Sequence, residues 1–164
     1  GRWDEWFLGR EIAVATDGAC VHITPVGALD IQPVELPQSE DLDAPDVFGV
    51  FDWPEGEEAP IDCRLREPQN RLRPLSKLPA RRYALTFNRK GEYSLVVPEV
   101  SRTVHPEEPP NCPFVAFDPH LFGRAVPKTE KRDLRFIVRD PHGPSYLFPA
   151  EHKDWLAVIM PRRM

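Results

Sequence analysis

Ile12 and Val14 alternate with smaller or polar residues, as do Val21 and Ile23, and Thr16-Asp17-Gly18 stands between the two runs. Alternation of this kind is the period of a half-buried strand. Asp-Gly between two such runs predicts a hairpin, because Gly accepts positive φ and Asp tolerates turn geometry. Trp3, Trp6 and Phe7 predict a further strand or a short packed segment ahead of it. Residues 47–53 predict a short strand between two acidic, Pro-rich exposed loops. Residues 83–87 and 93–97 flank Asn88-Arg89-Lys90-Gly91-Glu92 and predict a second hairpin, with Gly91 supplying the turn. A short apolar strand at 114–117 runs into Asp118-Pro119, an N-cap followed by Pro at the first helical position. Pro127 limits that helix to a few residues. Runs at 134–138, 145–148 and 155–160 predict three more strands, joined by turns at 140–143 and 150–154.

The segment 63–82 has a different pattern. Leu65, Leu72, Leu75 and Leu78 recur at spacings of seven, three and three, which predicts one or two amphipathic helical turns broken by Pro68, Pro74 and Pro79. Proline is abundant throughout, 20 of 164 residues, so few long helices can exist. The predicted fold class is therefore α+β, mostly antiparallel β with one or two short helices.

Charge divides the chain. Residues 1–62 hold 15 acids against Arg2 and Arg10, a net of −13, so the remainder carries +8 within a total of −5. The basic side chains concentrate in Arg64, Arg66, Arg71, Arg73, Lys77, Arg81 and Arg82, with Glu67 the one acid among them. Such a stripe is either an ordinary solvated face or a surface that meets a polyanion. No run of 18 apolar residues exists, so no membrane-spanning helix is expected. No signal peptide is expected either, since Arg2, Asp4 and Glu5 interrupt the apolar start. Cys20, Cys63 and Cys112 are odd in number and far apart, which predicts a reducing compartment and a cytoplasmic location.

The chemistry of catalysis is sparse. The sequence has no Gly-rich phosphate loop, no Cys-x-x-Cys and no His-Glu-x-x-His. His105, Cys112 and His120 match no common zinc spacing. Asp118-Pro119-His120 and Asp140-Pro141-His142 suit capping and turn duty better than acid–base work. We therefore expect no enzyme activity, no catalytic residues, no metal and no cofactor.

The words from Tyr83 onward carry a resemblance. Val115-Ala116-Phe117-Asp118-Pro119-His120-Leu121-Phe122-Gly123-Arg124-Ala125-Val126 resembles the helix entry of the last domain of bacterial sliding clamps, the β subunit of DNA polymerase III. Residues 132–141 resemble the strand and turn that follow. The ending Trp155-Leu156-Ala157-Val158-Ile159-Met160-Pro161-Arg162-Arg163-Met164 resembles the clamp C-terminus, a Tyr-Leu-x-Val-Ile-Met-Pro-Met-Arg-Leu pattern. Val14-Ala15-Thr16-Asp17-Gly18 resembles a turn of the middle clamp domain. The resemblance implies a clamp-like domain at 63–164 and, at 1–62, an acidic part similar to a piece of the middle domain.

In the family, that turn and the C-terminus form the two sides of an apolar cleft that takes short peptides from polymerases and repair factors, built around Gln and a Leu-Phe pair. Carried over by position, the cleft would use Thr16, Gly18, Val158, Ile159, Met160, Pro161, Arg163 and Met164. The plain alternative for 158–160 is a buried edge strand. The implied function is that of a sliding-clamp-like replication or repair accessory protein, with polymerase or other replication proteins as peptide partners. Double-stranded DNA at the seven basic residues, and a second copy of the chain, are further candidate partners. The alternative is a β-rich protein-interaction or immunity-type module unrelated to replication. Three departures change the implied cleft and domain. Ala19-Cys20-Val21 replaces the family's His-Arg-Leu and predicts a smaller, less charged floor. Arg162 replaces a Met and predicts a charge on one wall. The Pro-broken basic segment stands where the family has a long inner helix. The family builds its ring from three domains per chain; this chain can hold one and part of a second, and its sequence leaves ring closure open.

Overall fold

The computed structural model describes residues 12–16, 20–25, 59–97, 113–152 and 154–162. The expectations at Trp3, Trp6, Phe7, 47–53, His105 and Cys112 lie outside them. Among these described residues, nine strands and two short α-helices follow in this order: β1 (Ile12–Thr16), β2 (Cys20–Pro25), β3 (Ile61–Leu65), α1 (Pro68–Arg71), a 3-10 helix (Arg73–Lys77), β4 (Ala84–Phe87), β5 (Tyr93–Val96), β6 (Val115–Phe117), α2 (Pro119–Ala125), β7 (Leu134–Val138), β8 (Ser145–Pro149) and β9 (Leu156–Ile159). They form a six-stranded antiparallel sheet, β1-β2-β9-β8-β7-β3, and a three-stranded antiparallel sheet, β5-β4-β6.

Both sequence hairpins are present: β1 pairs with β2 and β4 with β5. In the second hairpin Gly91 has φ 81°. A β-carbon there would lie 2.6 Å from Cys63 Cβ, so glycine is needed for conformation and for space alike. Asn88 completes the turn by accepting from the Lys90 and Glu92 amides. The helix start at Asp118-Pro119 is also as read, with the Asp118 carboxylate accepting from the His120 amide at 2.9 Å. The helix ends at Ala125, ahead of Pro127.

The basic segment holds two short helical turns, as expected, but its four leucines are spread over these and their neighbours. Leu65 ends β3, Leu72 follows α1, Leu75 lies in the 3-10 helix and Leu78 is already extended. Pro68 and Pro74 stand in the first turns of α1 and the 3-10 helix, so they start these elements, and Pro74 also stops α1 ahead of it. Ile61–Leu65, not expected as a strand, is one and pairs with β7. The division expected between 62 and 63 falls inside it.

The core joins the two sheets. Phe87 of β4, Phe117 of β6, Phe122 of α2 and Phe136 of β7 are fully buried. All six ring pairs among them have centroids 4.7–5.9 Å apart. Tilted and edge-on rings at such distances attract beyond their buried area. Around them pack Ile61, Leu65, Leu72, Leu134, Leu147, Ala157 and Ile159. A second apolar cluster, Ile23, Ile137, Tyr146, Phe148, Leu156 and Val158, takes the alternate positions of the same strands and so occupies the other face of the six-stranded sheet. β9, with β2 on one side and β8 on the other, is an interior strand and not an edge. An interior strand buried on both faces is continuously apolar, which accounts for the unbroken run Leu156-Ala157-Val158-Ile159.

Candidate peptide cleft and basic helix pair

The β1–β2 hairpin and β9 share one sheet, and their register fixes which residues are neighbours. Thr16 is opposite Val21, Val21 opposite Val158, and Val158 opposite Tyr146. Opposed residues point to the same face, so Thr16, Val21 and Val158 form one row. At a strand spacing of about 4.8 Å, Thr16 and Val158 are separated by about 10 Å. The hairpin end and the C-terminal strand are thus neighbours in space.

Within that frame the candidate cleft residues differ in availability. Thr16 is exposed at the end of β1. Val158 and Ile159 are each 1% exposed, on opposite faces of β9. Val158 packs in the second cluster and Ile159 in the main core. Met160, just beyond the strand, is 43% exposed. Pro161 is half-buried. Gly18, Arg163 and Met164 lie outside the described residues. Val14, one row along the same face from Thr16, is 47% exposed and adds an apolar side chain that the sequence reading did not select. Its period-two spacing from Thr16 was the available signal.

Arg162 corrects an expectation. Its amide donates to the Ala116 carbonyl of β6 at 2.7 Å, and its Nη1 donates to the Tyr83 carbonyl at 3.0 Å. The guanidinium is therefore committed to the three-stranded sheet, where it satisfies a backbone acceptor next to β4.

A polar network holds the entry to β9. Glu130 is 6% exposed and accepts from the Arg132 amide and guanidinium and from the Trp155 indole N–H, at 2.8–3.0 Å. Burial alone would raise its carboxyl pKa; the hydrogen bonds from Arg132 and Trp155 outweigh burial and hold it at about 2. Arg132 also pairs with Asp154 at 2.7 Å. On the neighbouring strand the half-buried His22 stacks on Trp155, with centroids 5.1 Å apart, and shares a hydrogen bond with Thr24 Oγ1. Burial disfavours the charged imidazolium and pushes its pKa down to about 4, so the ring is neutral at pH 7.

The seven basic candidates separate into two groups. Arg64 pairs with Asp133 and Glu151, Arg71 pairs with Glu67, and Arg73 Nη1 donates to the Val126 carbonyl at the end of α2. Arg66, Lys77, Arg81 and Arg82 are exposed and have no ion-pair partner among the described residues. Arg82 lies over the Tyr83 ring at 5.9 Å. The 3-10 helix packs closely on α2: a β-carbon at Gly123 would meet the Ser76 amide and the Leu72 carbonyl. This contact sets Arg124, also exposed, on the helix packed against the basic segment, a basic residue the sequence reading did not include.

Among the described residues no group of three or more His, Cys, Asp or Glu could hold a metal ion. Burial raises the Cys63 thiol to about 11, with Asp62 adding to the effect, which leaves it a poor nucleophile. No helix among the described residues is long and apolar enough to cross a membrane.

No protein-family profile and no curated protein matches the sequence. Solved structures do match the fold. One is Caulobacter crescentus pol III beta, 17% identical, with 94% of this chain and 55% of that chain covered and a TM-score of 0.53. The DNA polymerase sliding clamp from Pseudomonas aeruginosa is 17% identical, with 93% and 55% covered and a TM-score of 0.52. DNA polymerase III subunit beta from Borrelia burgdorferi, solved in complex with a natural product, is 13% identical, with 94% and 54% covered and a TM-score of 0.57. The chain spans about half the length of these clamps. The antiparallel sheets and short helices of the described residues make a divergent clamp-like fold.

Proposed function

We propose that this chain is a clamp-like, non-enzymatic accessory protein of DNA replication or repair. It captures short linear peptides of polymerases or other partners beside Thr16, Gly18 and the C-terminal residues Met160, Pro161, Arg163 and Met164, with Val158 and Ile159 as the buried support of that wall. The observation that carries the reading is the β1-β2-β9 register, which makes the Thr16 turn and the C-terminal strand neighbours on one clamp-like sheet. Exposed apolar side chains at Val14 and Met160 supply the kind of surface a Leu-Phe pair would bury. Methionine adapts to more than one ligand shape. In the same reading Arg66, Lys77, Arg81, Arg82 and Arg124 contact the phosphates of double-stranded DNA without sequence preference, while Arg64, Arg71 and Arg73 serve mainly to hold the fold.

The test is a titration of a labelled Gln-Leu-x-Leu-Phe peptide, run beside a sizing measurement that reports whether copies of the chain associate. Micromolar binding that disappears when residues 160–164 are deleted is expected. A folded sample that does not bind the peptide refutes the reading. The DNA component is checked separately. Affinity for a duplex should fall steeply with salt, and Lys77→Glu with Arg81→Glu should weaken binding and flatten that dependence.

A further inference from the structure

The chain leaves the six-stranded sheet at Ile159, which is paired with Cys20 and Ser145. Three residues later it is in the other sheet, where Arg162 forms an antiparallel bridge with Ala116 of β6. Met160 and Pro161 are thus a two-residue span fixed at both ends. Pro161 has no amide proton to leave unpaired and restricts its own φ, which stiffens the span further. The far end has two bonds: the Arg162 amide to Ala116 O at 2.7 Å and Arg162 Nη1 to Tyr83 O at 3.0 Å. Met160, between residues tied to different sheets, is 43% exposed.

We infer that Arg162 is a positioning residue for the peptide surface: it holds the Met160–Pro161 wall in its binding conformation without touching the peptide. The inference rests on the peptide-capture reading above. A wall ordered before binding spares the complex the cost of ordering it, and that cost appears as affinity when the tether is cut. The side-chain bond to Tyr83 O is the part that mutation can remove, since the amide bond to Ala116 belongs to the backbone. Only a long donor at 162 can make it. Lysine retains a donor of similar reach, whereas alanine and methionine do not.

The experiment compares the full chain with Arg162→Ala and Arg162→Lys. Peptide affinity is read by titration, amide hydrogen exchange by NMR at Met160 and Arg162, and folding by the thermal midpoint. For Arg162→Ala, affinity should weaken about tenfold, with faster exchange at the Arg162 amide and an unchanged exchange pattern in β7 and β8. Arg162→Lys should recover part of the affinity. Equal affinity in wild type and Arg162→Ala overturns the positioning role, as does a loss matched by faster exchange throughout the sheet, which would mark a general weakening of the fold. A wild-type chain that fails to bind the peptide overturns the capture reading and this role together, whereas an altered Arg162→Ala affinity with a binding wild type can only bear on the tether.

Discussion

Acidification from about pH 7.5 to about pH 5 should weaken the seam between β2 and β9 through one side chain, His22. The ring stacks on Trp155 and is opposite Ala157 in the register, so it belongs to both strands. Its pKa falls from 6.5 in the unfolded chain to about 4 in the folded one, through burial. Between those values the unfolded chain binds a proton that the folded chain refuses, so stability rises with pH across this window and falls as acid is added. At about 1.4 kcal/mol per pH unit, the gap from 6.5 to about 4 amounts to about 3 kcal/mol once the pH is below both values. At pH 5 the loss is about 2 kcal/mol, a large share of the 5–15 kcal/mol typical of a domain. Glu130 does not confuse the measurement: its carboxyl is held at about 2 against 4.5 when unfolded, so its contribution is intact above 4.5 and lost only towards pH 2. The assay is urea unfolding at several pH values for wild type and for His22→Phe, which keeps an aromatic ring beside Trp155 but cannot titrate. Wild type should lose about 2 kcal/mol more than the variant between the two ends of the series. Parallel curves for the two proteins would refute the assignment of the acid sensitivity to this ring.

Three other changes have sizes set by the structure. Phe122→Ala removes one member of the four-ring cluster and should cost about 3–5 kcal/mol in denaturant unfolding; a cost near 1 would mean that the cluster collapses around the gap. Gly91→Ala forces a side chain into a left-handed turn against Cys63 and should lower stability by about 2–3 kcal/mol, with only partial relief from Cys63→Ala, which removes the Sγ contact at 2.9 Å but keeps the Cβ contact at 2.6 Å. Glu130→Ala leaves the Trp155 indole N–H without its buried acceptor and should cost about 2 kcal/mol, accompanied by a change in tryptophan fluorescence.

The elements legible in the sequence are those specified locally. Gly91, Asp118-Pro119 and Pro127 act within a few residues of themselves, and the hairpin, the helix start and the helix end fall where those residues put them. β3 escaped because its outward residues are Asp62 and Arg64, so charge and nearby prolines hid a strand whose inward residues, Ile61 and Leu65, are nearly fully buried. Its partner is β7, and Asp62 meets Arg135, 73 residues away, in a two-bond ion pair that nothing local announces. The same distance effect governs the candidate site. That the Thr16 turn and the C-terminal run belong together was readable only through family resemblance, since nothing in either stretch names the other. That β9 is interior depends on β2 and β8 arriving on its two sides. Where Arg162 sends its charge depends on Tyr83, 79 residues earlier.

The strand order of the larger sheet carries a consequence for biogenesis. Among the described strands, the first hairpin is joined to the rest of its sheet through β9, linking residues such as Cys20 and Ile159 that are about 140 positions apart in the chain. Until β9 has been made, the flank of β2 that pairs with it, Ile23 included, lacks that partner. Helices and local turns can form early, but the sheet closes late and over a long loop, which favours slow maturation and a need for chaperone protection in the interval.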